Sequence, residues 1–158
     1  MFLWLMRHGE AVDPDQTSTD AARWLTNKGR NQVSALGRWL KERATPPDFV
    51  FHSPFVRTTQ TAELLGENWG LSAEGVQPRS CLQPGMRAQD ILQVMKERAC
   101  HSVVCISHQP NVGQALQELV GTARIDYAPG TIACIEFGGP LSLGGGHLVG
   151  LLAPDWFS

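Results

Sequence analysis

The chain has no excess of positive charge. Lys and Arg number 13 and Asp and Glu 15 among 158 residues, a formal net charge of −2. The cationic field that holds DNA or an anionic membrane is therefore missing, and neither nucleic acid nor membrane is expected as a partner. An anion site has to be assembled locally, from a few arginines. Long apolar runs are missing as well. The opening Met-Phe-Leu-Trp-Leu-Met is apolar throughout but meets Arg7-His8 at once. That is short of the roughly 7–15 residues of a secretory h-region and of the roughly 20 of a membrane helix. A soluble, cytoplasmic protein is expected. The four cysteines (Cys81, Cys100, Cys105, Cys134) form no Cys-x-x-Cys pair and no metal-ligand spacing. Three lie in apolar runs and read as buried, reduced thiols. No internal repeat or linker interrupts the chain.

What is present suffices for a core. Apolar residues make up 42% and charged residues 18%, which excludes disorder and coiled coil. Area scaling has a chain of this length bury roughly 69% of its surface on folding, without metal or disulfide staples. One domain spanning 1–158 is expected. Strands are predicted at Phe2–Met6, Phe49–Phe51, near Val76, Val103–Ile106, Thr131–Phe137 and His147–Leu152. The last two are joined as a hairpin by a Gly-rich turn whose spacing fits no phosphate loop. Helical periodicity covers 27–44, with Thr26 as N-cap and Pro46-Pro47 forcing a stop. It returns over 54–69, closed by Gly70, over 87–99, and from Pro110 at N1 to Val120, closed by Gly121. Alternating strands and helices give a mostly parallel, doubly wound α/β sheet with helices on both faces.

Such sheets bind ligands at the carboxyl ends of their strands. The first strand runs into Arg7-His8-Gly9-Glu10, the second into His52-Ser53-Pro54 with Arg57 soon after, and the fourth into Ser107-His108-Gln109-Pro110. Two histidines and two arginines from distant segments thus gather at one edge. Guanidinium forks and helix N-termini bind phosphate oxygens, and a neutral imidazole among them is a candidate nucleophile toward phosphorus. His52, His101 and His147 read as surface or cap residues, although His52 borders the same crevice.

Leu5-Met6-Arg7-His8-Gly9-Glu10-Ala11 resembles the arginine-histidine-glycine signature of the histidine phosphatase superfamily, whose relatives include phosphoglycerate mutases and acid phosphatases. Ser53-Pro54-Phe55-Val56-Arg57-Thr58-Thr59-Gln60-Thr61-Ala62 resembles its second motif and Val103–His108 its third. Leu25-Thr26-Asn27-Lys28-Gly29 matches a structural turn between them. Length and the Ser107-His108-Gln109-Pro110 turn are most similar to the phosphohistidine phosphatases of the SixA type, and Arg23 agrees with that subgroup, while Trp24 stands in place of its usual proline. The resemblance implies a three-layer α/β/α sandwich around a central, mostly parallel mixed sheet, as in phosphoglycerate mutases. It also implies that His8 is the nucleophile and that Arg7, Arg57 and His108 bind the phosphoryl oxygens, helped by backbone N–H groups near Gln109. A phosphate or sulfate anion is expected to occupy the same site. No cofactor and no metal are implied, because the arginines carry the charge that a divalent ion carries elsewhere.

Relatives that cleave phosphate esters supply a carboxylic acid where this chain has Gln83 or Gln109, and neither amide can protonate a leaving alkoxide. Glu10 and Asp13 follow the nucleophile but read as capping or solvated. The expected substrate is therefore a phosphohistidine-containing protein. A small phosphate ester remains the rival substrate, and a non-catalytic module that binds phosphorylated partners the rival of another class. Trp156-Phe157 is expected to dock on the core.

Overall fold

A six-stranded mixed sheet runs through the computed structural model, which describes residues 1–156. The strands are β1 (Phe2–Arg7), β2 (Phe49–His52), β3 (Val76–Pro78), β4 (Ser102–Ser107), β5 (Ile132–Glu136) and β6 (His147–Leu152). Their order across the sheet is β3-β2-β4-β1-β5-β6. The first four run parallel, β5 is antiparallel to β1, and β6 pairs antiparallel with β5 as the expected hairpin. The helices are α1 (Asn27–Arg43), α2 (Val56–Trp69), α3 (Ala88–Lys96) and α4 (Asn111–Val120).

The period-two pattern of the central strands divides the core into two layers. Leu3 and Leu5 of β1, Val103 and Cys105 of β4, and Ala133 and Ile135 of β5 pack with Ile91, Met95, Val112 and Leu116 of α3 and α4. Met6, Val104, Ile106 and Ile132 point the other way, onto Val33, Leu36 and Leu40 of α1 and Ala62 and Leu65 of α2. This is the three-layer sandwich expected from the sequence. Among the described residues no helix is long and apolar enough to cross a membrane.

Several boundaries differ from expectation. Helix α2 begins at Val56 because Ser53 and Pro54 are held outside it: the Ser53 carbonyl accepts from Thr58 Oγ1 at 2.7 Å, and Phe55 is the N-cap. Helix α3 ends at Lys96, short of residue 99, because the chain must turn into β4. There the Asp48 carboxylate takes the backbone N–H groups of His101 and Ser102. Pro110, preceded by a cis peptide, is the N-cap of α4 and not its first residue. Cys105 and Cys134 are buried, but Cys100 is half-buried and Cys81 exposed. Trp156 is 67% exposed and does not dock as expected; Phe157 lies outside the described residues.

Candidate active site

The parallel strands all end on one side, and β1 and β4 are neighbours, so His8 and His108 leave adjacent strands. Their ring centroids lie 5.4 Å apart. Arg57, in the first turn of α2, reaches between them and is only 4% exposed. Phe55 sits edge-on to the His108 ring, 5.0 Å between centroids, and its face lies 5.2 Å from the Arg57 guanidinium.

The hydrogen bonds fix the state of each ring. His8 Nδ1 is 2.7 Å from the Gly9 carbonyl, which only accepts, so Nδ1 carries the hydrogen and Nε2 the lone pair. Arg57 Nε–H donates to that lone pair at 3.1 Å. Arg57 Nη2 lies 3.0 Å from His108 Nδ1; a guanidinium only donates, so this nitrogen is the acceptor. His108 Nε2–H then donates to Ser53 Oγ at 2.8 Å. Both rings are neutral. Burial, and then the neighbouring Arg57, push His8 down to about 3, against the opposing Gly9 bond. Burial and Arg57 push His108 down to about 4.

Arg7 donates through Nη1 to the Tyr127 carbonyl at 2.7 Å. Its Nε is buried with no hydrogen-bond partner among the described residues. Burial lowers its pKa, as do the charges of Arg57 and Arg23, so three guanidiniums share this corner. Arg57 Nη1 donates to the backbone carbonyl of Asp20 at 2.7 Å, and Nη2 to its carboxylate at 3.0 Å.

Asp20, Arg23 and Ser53 are the residues that sequence reasoning did not assign to the site. Asp20 lies in a polar stretch with Asp13 and Asp15, and no spacing distinguishes the three. The Gln109 side chain is turned to Asp126, at 3.2 Å. Glu10 pairs with Lys28 at 2.9 Å and accepts from Thr26 at 3.0 Å, a capping role, and Asp13 is exposed. His101 and His147 are exposed as expected. His52 is not a surface residue: it is 4% exposed, with Nδ1 2.8 Å from the Ser53 carbonyl, and it borders a separate pocket of about 410 Å³.

The loop after β1 packs against α1 with no side chain between them. A Cβ on Gly9 would come within 2.9 Å of the Gly29 carbonyl oxygen, and one on Gly29 would collide with the Glu10 backbone. Thr61 Oγ1 accepts from Gly9 N at 3.2 Å, and Gln60 Oε1 accepts from Leu25 N at 2.8 Å. The polar residues after Arg57 thereby pin both loops that carry the site.

The model of the "Histidine phosphatase superfamily (branch 1)" matches residues 3–79. A phosphohistidine phosphatase SixA homolog of Haemophilus influenzae is 32% identical over 152 residues, covering 88% of this chain and 90% of that one. The phosphohistidine phosphatase SixA of Escherichia coli is 34% identical over 122 residues, covering 75% and 74%. Among solved structures, that of the protein histidine phosphatase SixA complexed with tungstate superposes over 100% of both chains, with a TM-score of 0.87 and 27% identity.

Proposed function

Because the chain belongs to the histidine phosphatase superfamily, we propose that it is a phosphohistidine phosphatase, working through a phospho-His8 intermediate on a phosphohistidine borne by another protein. The observation that carries this reading is the His8 lone pair. The Gly9 carbonyl holds the opposite nitrogen protonated, so Nε2 turns its lone pair into the corner shared by Arg57 and His108, where it accepts from Arg57 Nε–H until a phosphoryl group takes that donor. Relatives that cover most of this chain are named for this activity, and one solved relative holds tungstate, a tetrahedral oxyanion shaped like phosphate.

In the first step Nε2 forms a bond to phosphorus as the substrate's N–P bond breaks, and the departing imidazole keeps the electron pair, leaving as a neutral ring when its other nitrogen is protonated or taking its proton from water. In the second, water attacks phospho-His8 and releases inorganic phosphate. Arg7 Nε and the Nε/Nη2 edge of Arg57 supply donors to the equatorial oxygens, where most of the transition-state stabilisation of phosphoryl transfer lies. The Gln109 side chain is engaged elsewhere, so its contribution falls to the backbone N–H. His108 presents an unprotonated Nδ1 to this corner. To donate to a phosphoryl oxygen Nδ1 must carry a hydrogen, which it gains by a tautomer exchange that makes the Ser53 hydroxyl the donor to Nε2, or by uptake of a proton.

The leaving group favours phosphohistidine over an ester. The carboxylate nearest the site, Asp20, is ion-paired with two arginines and stays ionised, so it is unsuited to protonating an alkoxide, whose conjugate acid has a pKa of roughly 15. A phosphohistidine protonated on its other ring nitrogen releases a neutral imidazole, whose conjugate acid has a pKa of about 6.5, and needs no positioned acid. Exposed Trp24 (44%) and Val56 (37%) adjoin Arg23 and Arg57 in sequence and offer apolar surface to a protein partner.

The test is an alkaline-quenched trap of labelled phosphoenzyme, combined with kcat/KM for a phosphohistidine protein, an activated aryl phosphate and a sugar phosphate. Label on wild type, none on His8→Ala, and rates falling in that order are expected. A sugar phosphate that matches the phosphohistidine protein overturns the substrate assignment. With arginines as the source of positive charge, prolonged chelation is expected to leave the activity unchanged; a loss restored by one divalent ion would show the site misread.

A further inference from the structure

We propose that Asp20 is a positioning residue for Arg57: it holds one edge of the guanidinium so that the other edge is aimed at His8 and His108. The proposal rests on the reading of His8 and Arg57 as the phosphoryl-transfer site. A guanidinium has five N–H donors in a rigid plane, arranged along two forked edges. The Nη1/Nη2 edge of Arg57 is held by Asp20 twice, through its backbone carbonyl at 2.7 Å and its carboxylate at 3.0 Å. The Nε/Nη2 edge faces the two imidazoles, at 3.1 Å from His8 Nε2 and 3.0 Å from His108 Nδ1. A phosphoryl group attacked by His8 meets this second edge. Asp20 hydrogen-bonds to neither ring; its charge reaches His108 and favours the protonated imidazole, but the aim of the phosphoryl-facing edge is set through Arg57.

Asp20 is itself fixed from behind. Arg23 Nη1 pairs with its other carboxylate oxygen at 3.0 Å, and Arg23 Nε donates to the Val12 carbonyl at 2.7 Å. Val12 N in turn bonds to the Trp24 carbonyl, and Ala11 bridges Leu25, so the strap from 11 to 25 closes on itself beside β1. A chain of contacts thus runs from the strap's base through Arg23 and Asp20 to Arg57. Burial pushes the Asp20 carboxyl up, but the hydrogen bonds from Arg23 and Arg57 outweigh it and keep the group ionised. The Asp20 side chain is 53% exposed. Its pairing therefore adds little to stability, and substitutions there leave the fold intact for kinetic work.

The test is a double-mutant cycle on the full chain with Asp20→Ala, Arg57→Lys and the pair, assayed on a phosphohistidine protein and on an activated aryl phosphate. Asp20→Ala is expected to lower kcat about tenfold on both substrates, with little change in KM, and Asp20→Glu to restore part of the loss. In the Arg57→Lys background, Asp20→Ala is expected to have almost no further effect. Additive losses overturn the proposal, because Asp20 would then act independently of Arg57. A loss far larger for the poorer leaving group makes Asp20 a proton donor and also overturns it. So does tighter inhibition by inorganic phosphate in Asp20→Ala, which makes the carboxylate a competitor for the anion. A chain with no turnover on phosphohistidine even as wild type, and no trapped His8 label, would instead remove the functional reading beneath the proposal.

Discussion

His8 and His52 are built alike and surrounded differently. Each follows or ends a parallel strand, each is nearly fully buried (6% and 4% exposed), and each sets its Nδ1 on the carbonyl of the next residue, at 2.7 and 2.8 Å. Burial is the largest influence on both rings and pushes both pKa values down. The difference lies in what other segments bring. Arg57 and His108 close around His8. His52 instead meets Thr59 at 3.4 Å and lines a pocket with Glu63, while Arg79 turns away to Glu97. A strand end gives a buried imidazole its orientation and tautomer. Cations from elsewhere in the chain decide whether that imidazole faces a phosphoryl group.

Exchanging the two histidines' fates gives the largest expected effect. His8→Ala is expected to retain less than a few per cent of turnover while binding phosphate within about tenfold of wild type, about 1.4 kcal/mol. His52→Ala is expected to keep kcat/KM within about threefold, under ~0.7 kcal/mol of transition-state stabilisation. Steady-state kinetics and phosphate titrations of both variants check this, and comparable losses in the two would erase the distinction. The arginines come next. Arg57→Lys keeps the charge but loses the fork, and kcat/KM is expected to fall by about 10²-fold. Arg79→Lys, beside His52, is expected to leave the rate unchanged.

The depressed imidazoles also bear on stability. His8 and His108 titrate at about 3 and about 4 in the fold, against about 6.5 in the unfolded chain. Between those values the unfolded chain binds more protons. Their neutral burial is therefore without cost above pH 6.5 and destabilising below it, by up to about 1.4 kcal/mol per pH unit for each ring. Melting temperatures are expected to fall from pH 7 to pH 5, with a shallower slope in a His8→Asn, His108→Asn double variant; an identical slope would mean that other groups carry the acid sensitivity. The smallest effect concerns Ser53, which joins the two regions: its carbonyl faces His52 and its hydroxyl faces His108. Ser53→Ala removes the anchor of His108 Nε2–H, and kcat/KM is expected to drop about fivefold, on the scale of one hydrogen bond of about 1 kcal/mol. A loss as deep as that of Arg57→Lys would give Ser53 a larger part.

Much of this was legible before the fold was known, because short-range patterns carry it. Apolar runs mark β1, β2, β4 and the final hairpin, Thr26 opens α1, and Gly70 and Gly121 close α2 and α4, as the structure has them. Arg7, His8, Arg57 and His108 stand out in the sequence because each sits at a strand end or helix start inside a recognisable motif, and the fold brings all four to one corner. Boundaries failed where a distant partner intervened, as when α3 stops at Lys96 and not at 99, ahead of the turn that the Asp48 carboxylate holds through the N–H groups of residues 101 and 102. Asp20 failed for the same reason. Its partner Arg57 is 37 residues away, and Asp13 and Asp15 look no different in sequence. The burial of His52 follows from helix α2 and β3 closing over the end of β2, which no local pattern announces.

The contact of Gly9 with Gly29 ties the loop that carries His8 to the least secure part of a helix. The first turn of α1 lacks the i−4 acceptors that secure later turns and is where helices begin to fray. Thr26 restrains it, accepting from Gly29 N at 3.0 Å, and the Glu10 carbonyl accepts from Thr26 N. When that turn opens, the loop that orients His8 loses its backing while the sheet beneath remains paired. Such sub-global openings require less free energy than unfolding the core. Under heat or denaturant, activity is therefore expected to be lost ahead of the fold, as turnover falling before helical circular dichroism does.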